Sequence, residues 1–116
     1  MKTLGQHLLV ELFECNRKIL DDEKMMEEIL IQSAIIGGAT VMKHLSHKYS
    51  PQGVSAIVII AESHLSIHTW PEYGYAGCDI FACANSLKME KALDYIVSQV
   101  EPTNFTLLEI KRGNIK

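Results

Sequence analysis

Long apolar runs are missing from this 116-residue chain: the longest uninterrupted one, Ala56 to Ala61, falls far short of the roughly 20 residues a membrane-spanning helix needs. Charge of one sign is also scarce. The formal net charge is -3 and is spread without long runs, so neither nucleic acid nor an anionic membrane is an expected partner. Cysteine is limited to Cys15, Cys78 and Cys83, an odd set without paired metal-type spacing, which argues against a disulfide framework and for reduced thiols. The opening segment MKTLGQHLLVELFE breaks its apolar stretch with His7 and Glu11 and lacks a small-residue cleavage site. It does not read as a secretion signal, and the cytoplasm is the expected location. What is present, 47% hydrophobic and 22% charged residues, suits one soluble globular domain over residues 1–116.

Periodicity orders the elements. Residues Gly5 to Phe13 alternate, with Leu8, Val10 and Leu12 on one face and His7, Leu9, Glu11 and Phe13 on the other, a strand pattern. Asp21 and Asp22 can cap a helix whose apolar positions Met25, Met26, Ile29, Leu30, Ala34 and Ile35 run up to Gly37 and Gly38. Strands follow over Thr40–Tyr49, Val54–Ile60, His64–Trp70 and Gly77–Ala84, with turns at Pro51–Gly53 and Pro71–Tyr75. Asn85 and Ser86 can cap a second helix carrying Met89, Leu93, Ile96, Val97 and Val100, which ends at Pro102 before a strand from Phe105 to Ile110. The order βαββββαβ predicts an α+β two-layer sandwich, a mainly antiparallel sheet covered by two helices. Methionines and leucines on those helices are expected in the core.

The chemistry is concentrated between Glu62 and Cys83, which hold two histidines, two cysteines and the only tryptophan. Strand alternation puts His64, Ser66, His68 and Trp70 on one face. A tight hairpin at Ala61 and Glu62 pairs residues whose numbers sum to about 123, setting Ser55 opposite His68 within hydrogen-bond reach. A second hairpin turning near Tyr73 and Gly74 gives a sum of about 147 and sets Cys83 opposite His64, beside Ser63. The eight steps from Ser55 to Ser63 span roughly 27 Å at strand rise, so one chain does not bring the two clusters together. Simpler roles compete for several of these residues. His64 and His68 would share a zinc ion on a helix, but on a strand they sit about 13 Å apart. Cys15 and Cys78 read as small buried apolar residues, and His44 and His47 as solvated surface. A Ser-His hydrolase is disfavoured by the absence of a G-x-S-x-G elbow.

The stretch ESHLSIHTWPEYGY from Glu62 to Tyr75 resembles the signature of the prokaryotic S-adenosylmethionine decarboxylase proenzymes, a pyruvoyl-dependent family. The likeness extends to Gly5-x-His7-Leu8, to Pro51-x-Gly53-Val54-Ser55 and to Asp79-Ile80-Phe81-x-Cys83. Cys78 and Ala84 depart from the family's usual apolar residue and glycine, and Tyr49 stands where phenylalanine is common. The resemblance implies self-cleavage between Glu62 and Ser63, giving a β chain 1–62 and an α chain 63–116. The Ser63 hydroxyl would attack the Glu62 carbonyl, and the resulting ester would be eliminated and hydrolysed to a pyruvoyl group, the covalently bound cofactor, with no metal required. In turnover that group forms a Schiff base with the substrate amine. The processing roles, a donor to the oxyanion and a proton acceptor, fall on Ser55 and His68; Cys83 takes that of the proton donor to the decarboxylated substrate.

The same resemblance suggests adenine stacked on Tyr49 and Trp70, with Glu72 accepting hydrogen bonds from ribose. It implies carbon dioxide and decarboxylated S-adenosylmethionine, the aminopropyl donor of spermidine synthesis, as products. Pyruvoyl arginine decarboxylases share the self-cleaving core, which leaves arginine as the alternative substrate. Separation of the two clusters, together with the resemblance, predicts a homodimer of cleaved protomers with sites shared between copies.

Overall fold

Leu8, Val10 and Leu12 are almost fully buried, and they lie on one face of a strand, β1, that spans Lys2–Phe13 in the computed structural model. The structure describes residues 2–83 and 85–116, so the expected departure at Ala84 lies outside the described residues. After β1 come a four-residue helix α1 (Arg17–Leu20), helix α2 (Glu23–Ile36), and strands β2 (Thr40–Lys48), β3 (Val54–Ala61) and β4 (Ser63–Trp70). A 3-10 turn (Pro71–Tyr73), strand β5 (Tyr75–Cys83), helix α3 (Met89–Val100) and strand β6 (Asn104–Ile115) complete the chain. The six strands form one sheet in the order β2-β3-β4-β5-β1-β6, every neighbouring pair antiparallel. The expected α+β sandwich is therefore present.

The core lies between one sheet face and the helices. From α2 it takes Met26, Ile29, Leu30 and Ala34, and from α3 Ala92, Leu93, Ile96 and Val100, spacings of three and four that keep one side of a helix inward. Met25 and Ile35, expected within that stripe, are instead 44% and 51% exposed, because their positions turn past the edge of the buried side. Asp22 caps α2 by accepting from the Met25 N–H at 3.0 Å. Neither Asn85 nor Ser86 caps α3: its N-cap is Lys88, which makes no side-chain capping bond. The short helix α1, unanticipated, is capped by Asn16, whose side chain accepts from the Lys18 and Ile19 N–H groups. Strand β6 runs well past Ile110, because its pairing with β1 continues to Ile115 opposite Lys2.

Both hairpins at the site have defined registers. In β3–β4, Ser55 pairs with His68 and Ile60 with Ser63, the expected register. In β4–β5, Ser63 pairs with Ala82 and His64 with Phe81, two residues from the expected one. The loop is Pro71–Gly74, centred a residue earlier than the assumed tip, with Gly74 in the left-handed region at φ 64° closing the 3-10 turn. Trp70 and Tyr75 are consequently the last paired residues.

Candidate active site

The sheet face turned away from the helices carries the chemistry. Its side chains include His47 on β2, Ser55 on β3, His64, Ser66 and His68 on β4, Asp79, Phe81 and Cys83 on β5, and His7 on β1. Alternation produces this sorting: the intervening Val54, Val58, Leu65, Ile67, Cys78 and Ile80 go to the core.

At the Ser63 end of β4, the Ser63 hydroxyl lies 3.6 Å from the Cys83 thiol. Cys83 thus meets Ser63, although its expected partner across the sheet, His64, faces Phe81. Ser63 has φ 109°, a conformation that L residues with a side chain rarely adopt, and local strain of this kind collects at functional positions. Ser86, to which sequence reasoning gives no chemical role, is 3.4 Å from the Glu62 carbonyl oxygen and donates more closely, at 2.7 Å, to the Cys83 carbonyl.

At the opposite end, Ser55 Oγ is 2.8 Å from His68 Nδ1 and 3.0 Å from the Tyr49 hydroxyl. Hollows of about 270 Å³ and 230 Å³ flank His68, one toward β2 and one toward β1. Gly77, directly opposite His68, contributes no side chain to fill the second. Tyr49 and Trp70 occupy this end too. The backbone N–H of Tyr49 donates to Gly53 O at 2.8 Å, and the Tyr49 ring meets His47 edge-on at 4.7 Å. Trp70 lies 5.3 Å from Tyr75. Gly53 holds φ 110°, and a Cβ there would come within 3.2 Å of the Thr69 carbonyl, so glycine is required where the chain turns into β3. Asp21 accepts from the Gly53 N–H at 2.9 Å, and that hydrogen bond, helped by Lys48, holds its carboxyl below the usual range. Glu72 sits in the 3-10 turn, its carbonyl anchored by Arg17 at 2.9 Å.

The two clusters stay apart. Ser63 and His68 are five residues apart on β4, roughly 17 Å at strand rise. This is shorter than the 27 Å expected, because Ala61 and Glu62 are spent reversing the chain and Ser63 returns opposite Ile60.

Between the clusters runs a polar network that sequence reasoning does not assemble. His7 Nε2 is 3.0 Å from Asp79, Ser66 donates to the same carboxylate at 3.3 Å, and Arg112 lies 4.9 Å over the Phe81 ring. Both His7 and Asp79 stand in segments that carry the family likeness, whereas Arg112 on β6 has no local signal. Burial, reinforced by His7, pushes the His64 ring below its usual value. Burial also pushes Cys78 up to about 12 and Cys15 up to about 11, so neither is a reactive thiolate near neutral pH. His64 and His68 do not converge: one packs against Phe81, the other against Ser55.

An α+β sandwich with a serine–thiol pair at one end of β4 and a serine–histidine pair at the other holds side chains of the types that enzymes use for nucleophilic and acid–base chemistry. The chain belongs to the S-adenosylmethionine decarboxylase family, whose pattern matches residues 6–113. Similar to it is the S-adenosylmethionine decarboxylase proenzyme of Caldanaerobacter subterraneus subsp. tengcongensis, 47% identical over 97% of this chain and 91% of the relative. The proenzyme of Clostridium tetani is 46% identical over 97% and 90%. Among solved structures, the adenosylmethionine decarboxylase of Aquifex aeolicus VF5 superposes with a TM-score of 0.93 at 32% identity, covering 100% of this chain and 96% of that one. None of these relatives is an arginine decarboxylase.

Proposed function

We propose that this chain is the precursor of a pyruvoyl-dependent enzyme that converts S-adenosylmethionine to its decarboxylated form and carbon dioxide, supplying aminopropyl groups for spermidine synthesis. The observation that carries the reading is the Ser63 hydroxyl, next to the Glu62 carbonyl in sequence and 3.6 Å from the Cys83 thiol. The residues present fit a pyruvoyl group made from Ser63: the required hydroxyl is there, on a backbone of unusual φ, with a thiol beside it.

In the processing we propose, Ser63 Oγ bonds to the Glu62 carbonyl carbon, and the Glu62–Ser63 amide bond then breaks to leave an ester and a free Ser63 amine. Loss of the Ser63 Cα proton expels the Glu62 carboxylate and leaves dehydroalanine. Water replaces the nitrogen, ammonia departs, and the new chain begins with the ketone. A donor to the oxyanion and a base for the Cα proton are needed, and Ser55 and His68 match those roles. Once made, the pyruvoyl group supplies the electron sink for loss of the substrate carboxylate. Cys83 then gives its thiol proton to the substrate carbon. Tyr49 and Trp70 offer aromatic surface for adenine and Glu72 a carboxylate for ribose.

The separation between Ser63 and His68 supports a shared site in a homodimer. Leu45, Ile59, Trp70, Leu108 and Ile110 are all at least 40% exposed and lie on the open face, an apolar surface of the kind that marks an interface. A two-fold axis running across the strands between two stacked faces would lay the Ser63 end of one copy over the His68 end of the other, twice.

Mass analysis under denaturing conditions tests the reading. Purified protein should separate into chains 1–62 and 63–116, and Ser63→Ala should remain a single inactive chain. A Ser63→Ala protein that still cleaves would sink the assignment.

A further inference from the structure

The Tyr49 hydroxyl has a partner that an adenine-stacking ring does not require. It is 3.0 Å from Ser55 Oγ, which is itself 2.8 Å from His68 Nδ1, so a side chain just past β2 and one each from β3 and β4 form one hydrogen-bonded chain. The half-exposed ring packs edge-on against His47, and the Tyr49–Gly53 backbone bond sets the position of the residue that carries it.

We infer that Tyr49 is a positioning residue that sets the proton pattern of the Ser55–His68 pair through the bond between its hydroxyl and Ser55. A serine hydroxyl has one proton and two acceptor lone pairs. With Tyr49 O–H donating to one lone pair and His68 Nδ1–H to the other, both acceptor sites are filled and the Ser55 proton is free to point away from the pair. That proton is then available to an oxyanion, while His68, protonated at Nδ1, keeps Nε2 bare to accept a proton. Donor and base are ready together. Without the Tyr49 hydroxyl, Ser55 regains a vacant lone pair and the freedom to rotate. Its own proton can then turn onto Nδ1, which shifts the ring proton toward Nε2 and lowers the share of molecules in which donor and base are ready together. The stacking surface is a separate property of the same side chain, because phenylalanine would keep it.

This inference rests on the proposed processing role of Ser55 and His68, and the experiment separates the two. The time course of self-cleavage is followed by denaturing mass analysis for the parent, Tyr49→Phe and His68→Ala. His68 ring-nitrogen chemical shifts are measured in uncleaved Ser63→Ala precursor, with and without Tyr49→Phe, at a pH where the ring is neutral. Tyr49→Phe should cleave roughly three- to tenfold more slowly, the effect of losing one neutral hydrogen bond. It should also move the His68 shifts from the Nδ1–H toward the Nε2–H pattern. Adding Ser55→Ala to the uncleaved precursor should erase the effect of Tyr49→Phe on those shifts, since the signal passes through Ser55. Normal cleavage by His68→Ala would refute the processing role itself. Blocked cleavage by His68→Ala, alongside parent-like cleavage and unchanged ring shifts for Tyr49→Phe, would overturn the positioning role of Tyr49 alone.

Discussion

At one end of β4 the Ser63 hydroxyl meets a thiol at 3.6 Å, and at the other end of the same strand His68 meets the Ser55 hydroxyl at 2.8 Å, itself bonded to Tyr49. The first cluster holds a serine hydroxyl and a thiol, at the proposed cleavage point. The second holds an imidazole and a hydroxyl, flanked by hollows and aromatic rings. Ser55 and His68 lie on the sheet face turned from the helices, whereas the opposite face of the same strands is closed, with Leu65 and Ile67 fully buried; Ser63 stands at the start of β4, opposite Ile60 and Ala82. The difference teaches that one strand supports two environments by alternation alone, and that reactive groups sit where packing leaves room for a second surface.

The sharpest way to break this comparison is to separate its two ends genetically. Ser63→Ala and His68→Ala should each be inactive alone, but co-expression should restore cleavage and turnover, because some mixed dimers contain one site with both residues intact. If mixed dimers form and no cleavage appears in denaturing mass analysis, both ends act within one chain and the shared-site proposal is wrong.

Thiols on the two faces offer the next contrast. Cys83→Ala should leave cleavage in place but lower kcat by about a hundredfold or more, the scale of a lost general acid. Cys78→Ala, on the buried face, should leave turnover near that of the parent. Steady-state kinetics on fully cleaved protein decides between them; equal losses would remove the distinction between the two faces.

Packing alone predicts a smaller effect. Leu65→Ala should destabilise the fold by about 2–5 kcal/mol, the range for a large-to-small change in a core. The neighbouring Ser66→Ala, on the other face, should cost less, and urea unfolding of uncleaved Ser63→Ala precursors measures both. A reversed ranking would contradict the burial pattern of β4.

The smallest expected effect concerns pH. Burial, and next the neighbouring His7, lowers the His64 pKa from 6.5, so the unfolded chain takes up this proton at a higher pH than the folded one. The stability held by neutral His64 is therefore complete above 6.5 and is lost as pH falls from there through the lowered folded value. Unfolding midpoints for the parent and His64→Gln should differ in slope across that window; parallel curves would show that His64 is not the group responsible.

Much of this architecture is legible in the residues alone. Alternation in β1 and β4 sorts core from open face correctly, because a strand sends successive side chains to opposite sides whatever its neighbours do. The Ser55–His68 pairing is also legible, since a tight hairpin at Ala61 and Glu62 determines its own register. The β4–β5 register departs by two residues from the one its spacing suggests, because Pro71–Tyr73 forms a 3-10 turn whose centre depends on where Gly74 adopts its left-handed conformation. Cys83 nevertheless lies beside Ser63 as expected, as the side chains reach across the offset. Helix α1 escapes a reading by periodicity, being four residues long and too short for a repeating signal.

The sequence by itself determined the order of the six strands and the two longer helices, most of the buried stripe and the residue types gathered around Ser63, because these depend on local spacing and on motifs read within single segments. Only the tertiary structure decided that Tyr49 reaches Ser55, that His7 and Ser66 converge on Asp79, and that Arg112 returns over Phe81 from the far end of the chain. These contacts depend on which strands become neighbours and on the direction each side chain takes across the open face. Strand order and side-chain direction come from closing the whole sheet against its helices, and no local window of residues contains that information.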